Sequence, residues 1–127
     1  MAQFTVEDYY PPEWSSLPMH SYYFEIIKEG NLLGKLSIRH KPINLIGRLE
    51  DLCDVHIDNP MVSRKHAVLQ AKKDDHHLYL MDLGSQHGTF VNKTKMPAHT
   101  YKKLEPFDGL KFGVSSRVFI LRCPEYE

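Results

Sequence analysis

Short β-prone runs separated at close intervals by turn residues constrain this chain more than any other feature. Tyr22 to Lys28 is rich in aromatic and β-branched residues, Gly30-Asn31 follows as a turn signal, and Leu32 to Ile38 returns. Ile43 to Arg48, Val55 to Asp58, Ala67 to Lys72 and Leu78 to Asp82 continue the series, the last two flanking a polar turn, Lys73 to His77. Phe90-Val91 and Lys95-Met96 flank Asn92 to Thr94, and Leu110 to Phe112 and Val118 to Arg122 complete it. No segment keeps a 3.6-residue apolar period over two turns. The pattern predicts an all-β sandwich or barrel.

Residues 1–20 have a different texture. Pro11, Pro12 and Pro18 fix φ and remove backbone donors, so this is neither helix nor central strand. Yet Tyr9, Tyr10, Trp14 and Leu17 make it too apolar for a solvated tail. Two readings stand: an extended N-terminal arm that lays its aromatics on the domain, or a disordered end. The domain itself is expected over residues 21–123, with 124–127 a short C-terminal end.

At 127 residues the chain suits one domain with a core of its own. Sixteen basic residues balance sixteen acidic ones, which argues against direct nucleic-acid binding through bulk charge. No apolar run approaches the ~20 residues a membrane helix needs. Met1 to Tyr10 lacks the basic-then-apolar order of a signal peptide. Two cysteines, Cys53 and Cys123, make no disulfide framework and fit the cytosol or nucleus, a single bridge between them remaining open.

Three segments carry chemistry. Arg48 ends a strand whose Ile43, Leu45 and Ile46 are expected in the core, so its guanidinium is held at a strand end. That planar fork matches phosphate bidentately. Gly47 beside it permits a close backbone approach or unusual dihedrals. The alternative for Arg48 is an ion pair with Asp51 or Asp54. Ser63-Arg64-Lys65-His66 offers a hydroxyl, loop amides and cations on one tight segment, the ingredients of an anion nest. Asp82 to Thr89 reads as a turn in which Gly84 and Gly88 supply positive φ and Ser85 caps.

In this order and spacing, Gly47-Arg48, Ser63 to His66 and Asp82 to Thr89 resemble the signature of a forkhead-associated (FHA) domain, over roughly residues 22 to 123. The resemblance implies a β-sandwich of short, mostly antiparallel strands with recognition loops at one end, binding phosphothreonine without catalysis, cofactor or metal. It implies that Arg48 and Ser63 hold the phosphate and that Arg64 contacts the phosphopeptide. Gly47, His66, Asp82, Gly88, Thr89 and Asn92 are structural, His66 orienting its loop from within. Two positions depart from the family pattern. Gln86 stands where Ser or Thr is usual, and His87 where an Asn amide grips the peptide main chain; both are expected at the peptide. Lys93 replaces a common Gly, so the hairpin after Asn92 is expected to differ. The strings Val62 to Gln70 and Asp82 to Thr94, and the end Phe112-Gly113 with Arg117 to Leu121, most resemble one subgroup of the family, in which a His before the second Gly is expected, with the RNA-processing FHA proteins next closest. That likeness implies a monomer, a nuclear setting with the cytoplasm left open, and a phosphothreonine-containing partner among RNA-processing factors.

Three other functions compete with this reading. Ser63, His66 and Asp82 are the residue types of a hydrolase triad, but Gly-x-Ser-x-Gly is absent. Eight His and two Cys show no zinc-ligand spacing, and His76-His77 fall in a polar turn. An FHA fold that binds its partner without phosphate is the serious alternative, because of Gln86 and His87.

Overall fold

The computed structural model describes residues 9–127; the arm reading for Met1 to Asp8 lies outside the described residues. Twelve short strands make up the described fold: β1 Ser15–Ser16, β2 Tyr23–Lys28, β3 Asn31–Ser37, β4 Asn44–Gly47, β5 Val55–His56, β6 Ala67–Lys72, β7 Leu78–Asp82, β8 Thr89–Val91, β9 Thr94–Lys95, β10 Lys102–Lys103, β11 Gly109–Phe112 and β12 Arg117–Arg122. They form two sheets, ordered β10-β7-β6-β4-β5, with β1 on the end of β6, and β3-β2-β12-β11-β8-β9. All strand pairs are antiparallel except β4 with β5. The all-β sandwich read from the sequence is what the chain adopts.

Alternation puts Ile46, Leu69, Leu78 and Leu80 of the first sheet against Phe24, Leu110, Phe112 and Leu121 of the second, all nearly or fully buried. Each such side chain contributes roughly 1.5–3 kcal/mol by leaving water. Edge-to-face rings run through this core: Phe24 on Phe119 at 5.8 Å, then Phe119 on Phe112 at 5.6 Å. Phe112 meets the His66 ring at 5.7 Å, so the core reaches the loop end of the sandwich.

Strand β6 is buried on both faces: Ala67, Leu69 and Ala71 inward, Val68 and Gln70 outward. Part of the outward cover is the N-terminal arm. Ser15 and Ser16 pair with Lys72 and Ala71, and the Lys73 N–H donates to the Trp14 carbonyl at 2.8 Å. The Trp14 ring sits 5.3 Å from Tyr79 and 4.8 Å from Tyr101, and the Tyr9 and Tyr101 hydroxyls share a hydrogen bond. Tyr79 is the cross-strand partner of Gln70, so these rings lie over the outer face of the sheet. Tyr10 and Leu17 stay exposed. Sequence reasoning placed no strand at Ser15–Ser16 or Lys102–Lys103, each only two residues long and without an alternating pattern. Cys53 and Cys123 are both free thiols.

The hairpin after Asn92 is a two-residue turn in which Asn92 (φ 49°) and Lys93 (φ 71°) are both left-handed, as a type I′ turn requires. Lysine here takes a conformation that glycine takes more easily.

Because Trp14 bridges Tyr79 and Tyr101 across the outer face of the sheet, Trp14→Ala should cost about 2 kcal/mol. Thermal melts should show Tm lowered by roughly 5–10 °C; an unchanged Tm would mean that the arm is no part of the fold.

Candidate functional site

Three loops meet at one end of the sandwich. The first leaves β4 at Gly47-Arg48. A Cβ on Gly47 would overlap the Arg64 carbonyl and lie 3.1 Å from the Cys53 sulfur, so glycine is required by close approach. That approach lets the Arg48 N–H donate to the Ser63 and Arg64 carbonyls, each at 3.1 Å. The Arg48 Nε–H donates to the Val62 carbonyl at 3.0 Å, which fixes the plane of the guanidinium. No carboxylate pairs with Arg48 among the described residues. Asp54, one of its two candidate partners, instead holds Lys41 at 3.0 Å and accepts the Leu45 N–H at 2.9 Å. The terminal guanidinium nitrogens of Arg48 have no hydrogen-bond partner among the described residues.

The second loop is Pro60 to His66. Its Ser63 hydroxyl oxygen accepts the Gln86 N–H at 3.1 Å and keeps its own proton to donate. Arg64 is exposed, and its carbonyl binds the first loop. His66 is fully buried. Its Nδ1 accepts the Ser63 N–H at 3.0 Å and its Nε2–H donates to the Gly88 carbonyl at 2.9 Å, which fixes one neutral tautomer. Burial pushes the His66 pKa down, against the opposing pulls of the Gly88 carbonyl and Asp82. With both nitrogens committed, His66 has no lone pair for the Ser63 hydroxyl, so the residue types of a triad do not form one.

The third loop is Leu83 to Gly88, and Asp82 organises it. One carboxylate oxygen accepts the Gly84 and Ser85 N–H groups, both at 2.9 Å. The other accepts the Ser85 hydroxyl and, at 2.7 Å, the Thr89 hydroxyl. The Ser85 oxygen in turn accepts the Gly88 N–H at 2.9 Å. Burial alone would raise the Asp82 pKa; the Ser85 and Thr89 hydrogen bonds outweigh it and hold the carboxyl below its usual range. Gly88 has φ +89°, a conformation that excludes ordinary side chains. This turn presents Gln86, exposed, and His87, half-buried; neither side chain has a hydrogen-bond partner among the described residues.

The sequence-derived binding residues thus lie on loops joined directly by hydrogen bonds. Arg48 bonds to Ser63, Ser63 to Gln86, and His66 ties the second loop to the third. Asn92 stands apart from the ligand side: its side chain bonds Asp108 and the Gly109 N–H, bracing the neighbouring loop. Sequence reasoning missed Gly113, where a Cβ would lie 2.6 Å from the Met61 carbonyl and 3.7 Å from the His87 Cβ. It also missed Lys95, whose stem runs against Gly88. A glycine after a closing strand was the available signal for the first; nothing local marks the second. Two clefts among the described residues lie elsewhere, one lined by Ile26, Leu36 and His56, another by Val91 and Met96. The loop site is an open, polar surface.

Comparison with known proteins agrees with this geometry. The FHA domain family model matches residues 44–113, and the chain belongs to that family, whose members are protein-interaction modules. Among individual proteins, it is 40% identical to human kanadaptin over 126 residues, covering 92% of this chain and 17% of that protein. It is 35% identical to the human nuclear inhibitor of protein phosphatase 1 over 111 residues, covering 87% of this chain and 32% of the other. The chain thus spans less than a third of the length of these relatives. The yeast Pml1 splicing factor shares the fold, with a TM-score of 0.79 at 20% identity over 96% of this chain and 98% of that one.

A depressed His66 pKa ties stability to pH. Below its unfolded value, 6.5, the unfolded chain takes up a proton that the folded one refuses, so stability present above that pH is lost as pH falls toward the lower folded value. Asp82, also depressed, acts the same way but only below its ordinary 3.8. Urea midpoints should therefore fall between about pH 7.5 and 5.5 in the wild type and fall less in His66→Gln; equal slopes would contradict the buried neutral tautomer.

Proposed function

We propose that this domain is a non-catalytic reader of phosphothreonine. The observation that carries the reading is Arg48: a guanidinium oriented by the Val62 carbonyl, paired with no carboxylate among the described residues, on a loop bonded to Ser63. A phosphothreonine brings nearly two negative charges and three acceptor oxygens. Arg48 offers a bidentate fork, Ser63 a hydroxyl proton, and Arg64 a second exposed cation beside them. Gln86 and His87 face the peptide main chain with free side-chain donors, His87 taking the place of the usual amide. The interface is small and transient, below about 1,200 Å².

The partner follows from the relatives. One is named as a nuclear inhibitor of protein phosphatase 1, and a structural neighbour is a splicing factor integrated into the RES complex. The domain accordingly works in the nucleus, on a phosphothreonine-containing partner among RNA-processing factors, as a monomer and without a cofactor. The competing reading is a scaffold that binds without phosphate. Gln86 favours it, since an exposed amide stands where the family has a hydroxyl to hold the phosphate.

Calorimetric titration with one phosphopeptide, before and after phosphatase treatment, separates the two. Phosphatase should abolish binding. Arg48→Ala should weaken it at least about 30-fold, since truncating one partner of a desolvated charged pair costs about 2–5 kcal/mol. Its melt should be nearly unchanged. Ser63→Ala should weaken binding less, and Arg48→Lys should rescue it only in part, because the fork is lost. Normal binding by Arg48→Ala excludes the phosphate mechanism.

A further inference from the structure

The loop site continues onto the outward face of the second sheet. Phe90 is the cross-strand partner of Lys95 on one side and Lys111 on the other, so the three form one row. The row faces outward, because Thr89 and Val91 alternate with Phe90 into the core, and Leu110 and Phe112 alternate with Lys111. It lies one step below the loops: Phe90 follows Gly88-Thr89, and Lys111 precedes Phe112-Gly113. Lys95 leans further up, for a Cβ on Gly88 would come within 2.8 Å of Lys95 Cε. Its ammonium, one bond beyond, lies beside the turn that presents Gln86 and His87.

Neither lysine has a carboxylate partner among the described residues. Glu25 is held by Arg122 at 2.8 Å, and Asp108 accepts from Asn92 at 2.9 Å and from the Glu105 N–H at 2.8 Å. In a chain whose charges balance overall, two uncompensated cations beside a phosphate cradle concentrate positive potential on one side of it. Beyond them the same face turns apolar. A Cβ on Gly109 would lie 3.3 Å from both Ile120 and Val118.

Resting on the phosphothreonine reading, we propose that Lys95 and Lys111, flanking Phe90, form a second anion subsite. It takes an oxyanion, a carboxylate or a second phosphate, carried by the same partner segment close to its phosphothreonine. Phe90 lies two residue steps from Gly88, with Thr89 between them, about 7 Å along the strand, which an extended peptide spans in two or three residues. Acidic residues at that distance gain contacts that a neutral segment cannot make.

The test is fluorescence anisotropy with four phosphothreonine peptides: neutral flanks, glutamates before the phosphothreonine, glutamates after it, and a second phosphate as phosphoserine. Wild type should bind an acidic peptide about three- to tenfold more tightly than the neutral one, on one side only. The glutamate and phosphoserine arms decide which oxyanion the subsite prefers. In the Lys95→Ala/Lys111→Ala double variant the ratio of acidic to neutral affinity should fall to about one. Lys73→Ala, at the opposite end of the sandwich, should keep the ratio, and Arg48→Ala should weaken all four peptides. Equal affinity for neutral and acidic peptides, or a ratio that survives in the double variant, overturns the subsite. Unchanged affinity of Arg48→Ala for all four peptides overturns the phosphothreonine reading and the subsite with it.

Discussion

The recognition end of this protein depends on one buried imidazole. His66 takes the Ser63 N–H on one nitrogen and donates from the other to the Gly88 carbonyl, tying together the outer parts of two loops whose inner ends are already joined by the Ala67–Asp82 pairing and by the Leu83 N–H on the His66 carbonyl. Its ring is seated edge-to-face on Phe112, the last link of the aromatic chain through the core. The packing that stabilises the sandwich therefore also sets the position of the Ser63 hydroxyl. A buried polar group is costly unless satisfied, and here satisfaction is complete only when both loops are in place. That makes the loop geometry part of the folded state rather than something a ligand must induce.

Asp82 does for the third loop what His66 does for the second. One carboxylate accepting four hydrogen bonds bends residues 82–88 into a fixed turn, which presents the Gln86 and His87 side chains without using their hydrogen-bonding groups. Gly47 completes the frame by letting the Arg64 carbonyl come where a methyl group would stand. In the proposed reading structural and recognition roles are separated: buried groups fix the backbone, and the exposed Gln86 and half-buried His87 side chains have no hydrogen-bond partner among the described residues. The same division explains why Ser63, His66 and Asp82 do not form a catalytic triad. A histidine used to hold two backbone groups has no lone pair for a nucleophile.

Much of this was legible in the sequence because it rests on short-range rules. Ala67–Lys72 and Leu78–Asp82 stand at the bounds read from alternation around a polar turn, and the other long strands moved by one or two residues. Motif order marked the three loops. Long-range partners were not legible. That Arg48 binds the Val62 carbonyl rather than Asp54 follows from Lys41 and Leu45 having claimed that carboxylate. That Trp14 belongs to the outer face of β6 depends on Tyr79 and Tyr101, far along the chain. Lys95 gains its place only from a cross-strand register and a glycine with room above it. None of these is written within a window of neighbouring residues.

The central claim is that Arg48, Ser63 and the 85–88 turn form one phosphate-dependent surface. Its most direct test is an amide-shift titration of the labelled domain with a single peptide, phosphorylated and unphosphorylated. The account predicts that only the phosphopeptide moves resonances, and that those of Arg48, Ser63, Arg64, Gln86 and His87 move most. Equal shifts with both peptides, or shifts centred on the cleft around Ile26, Leu36 and His56, would contradict it.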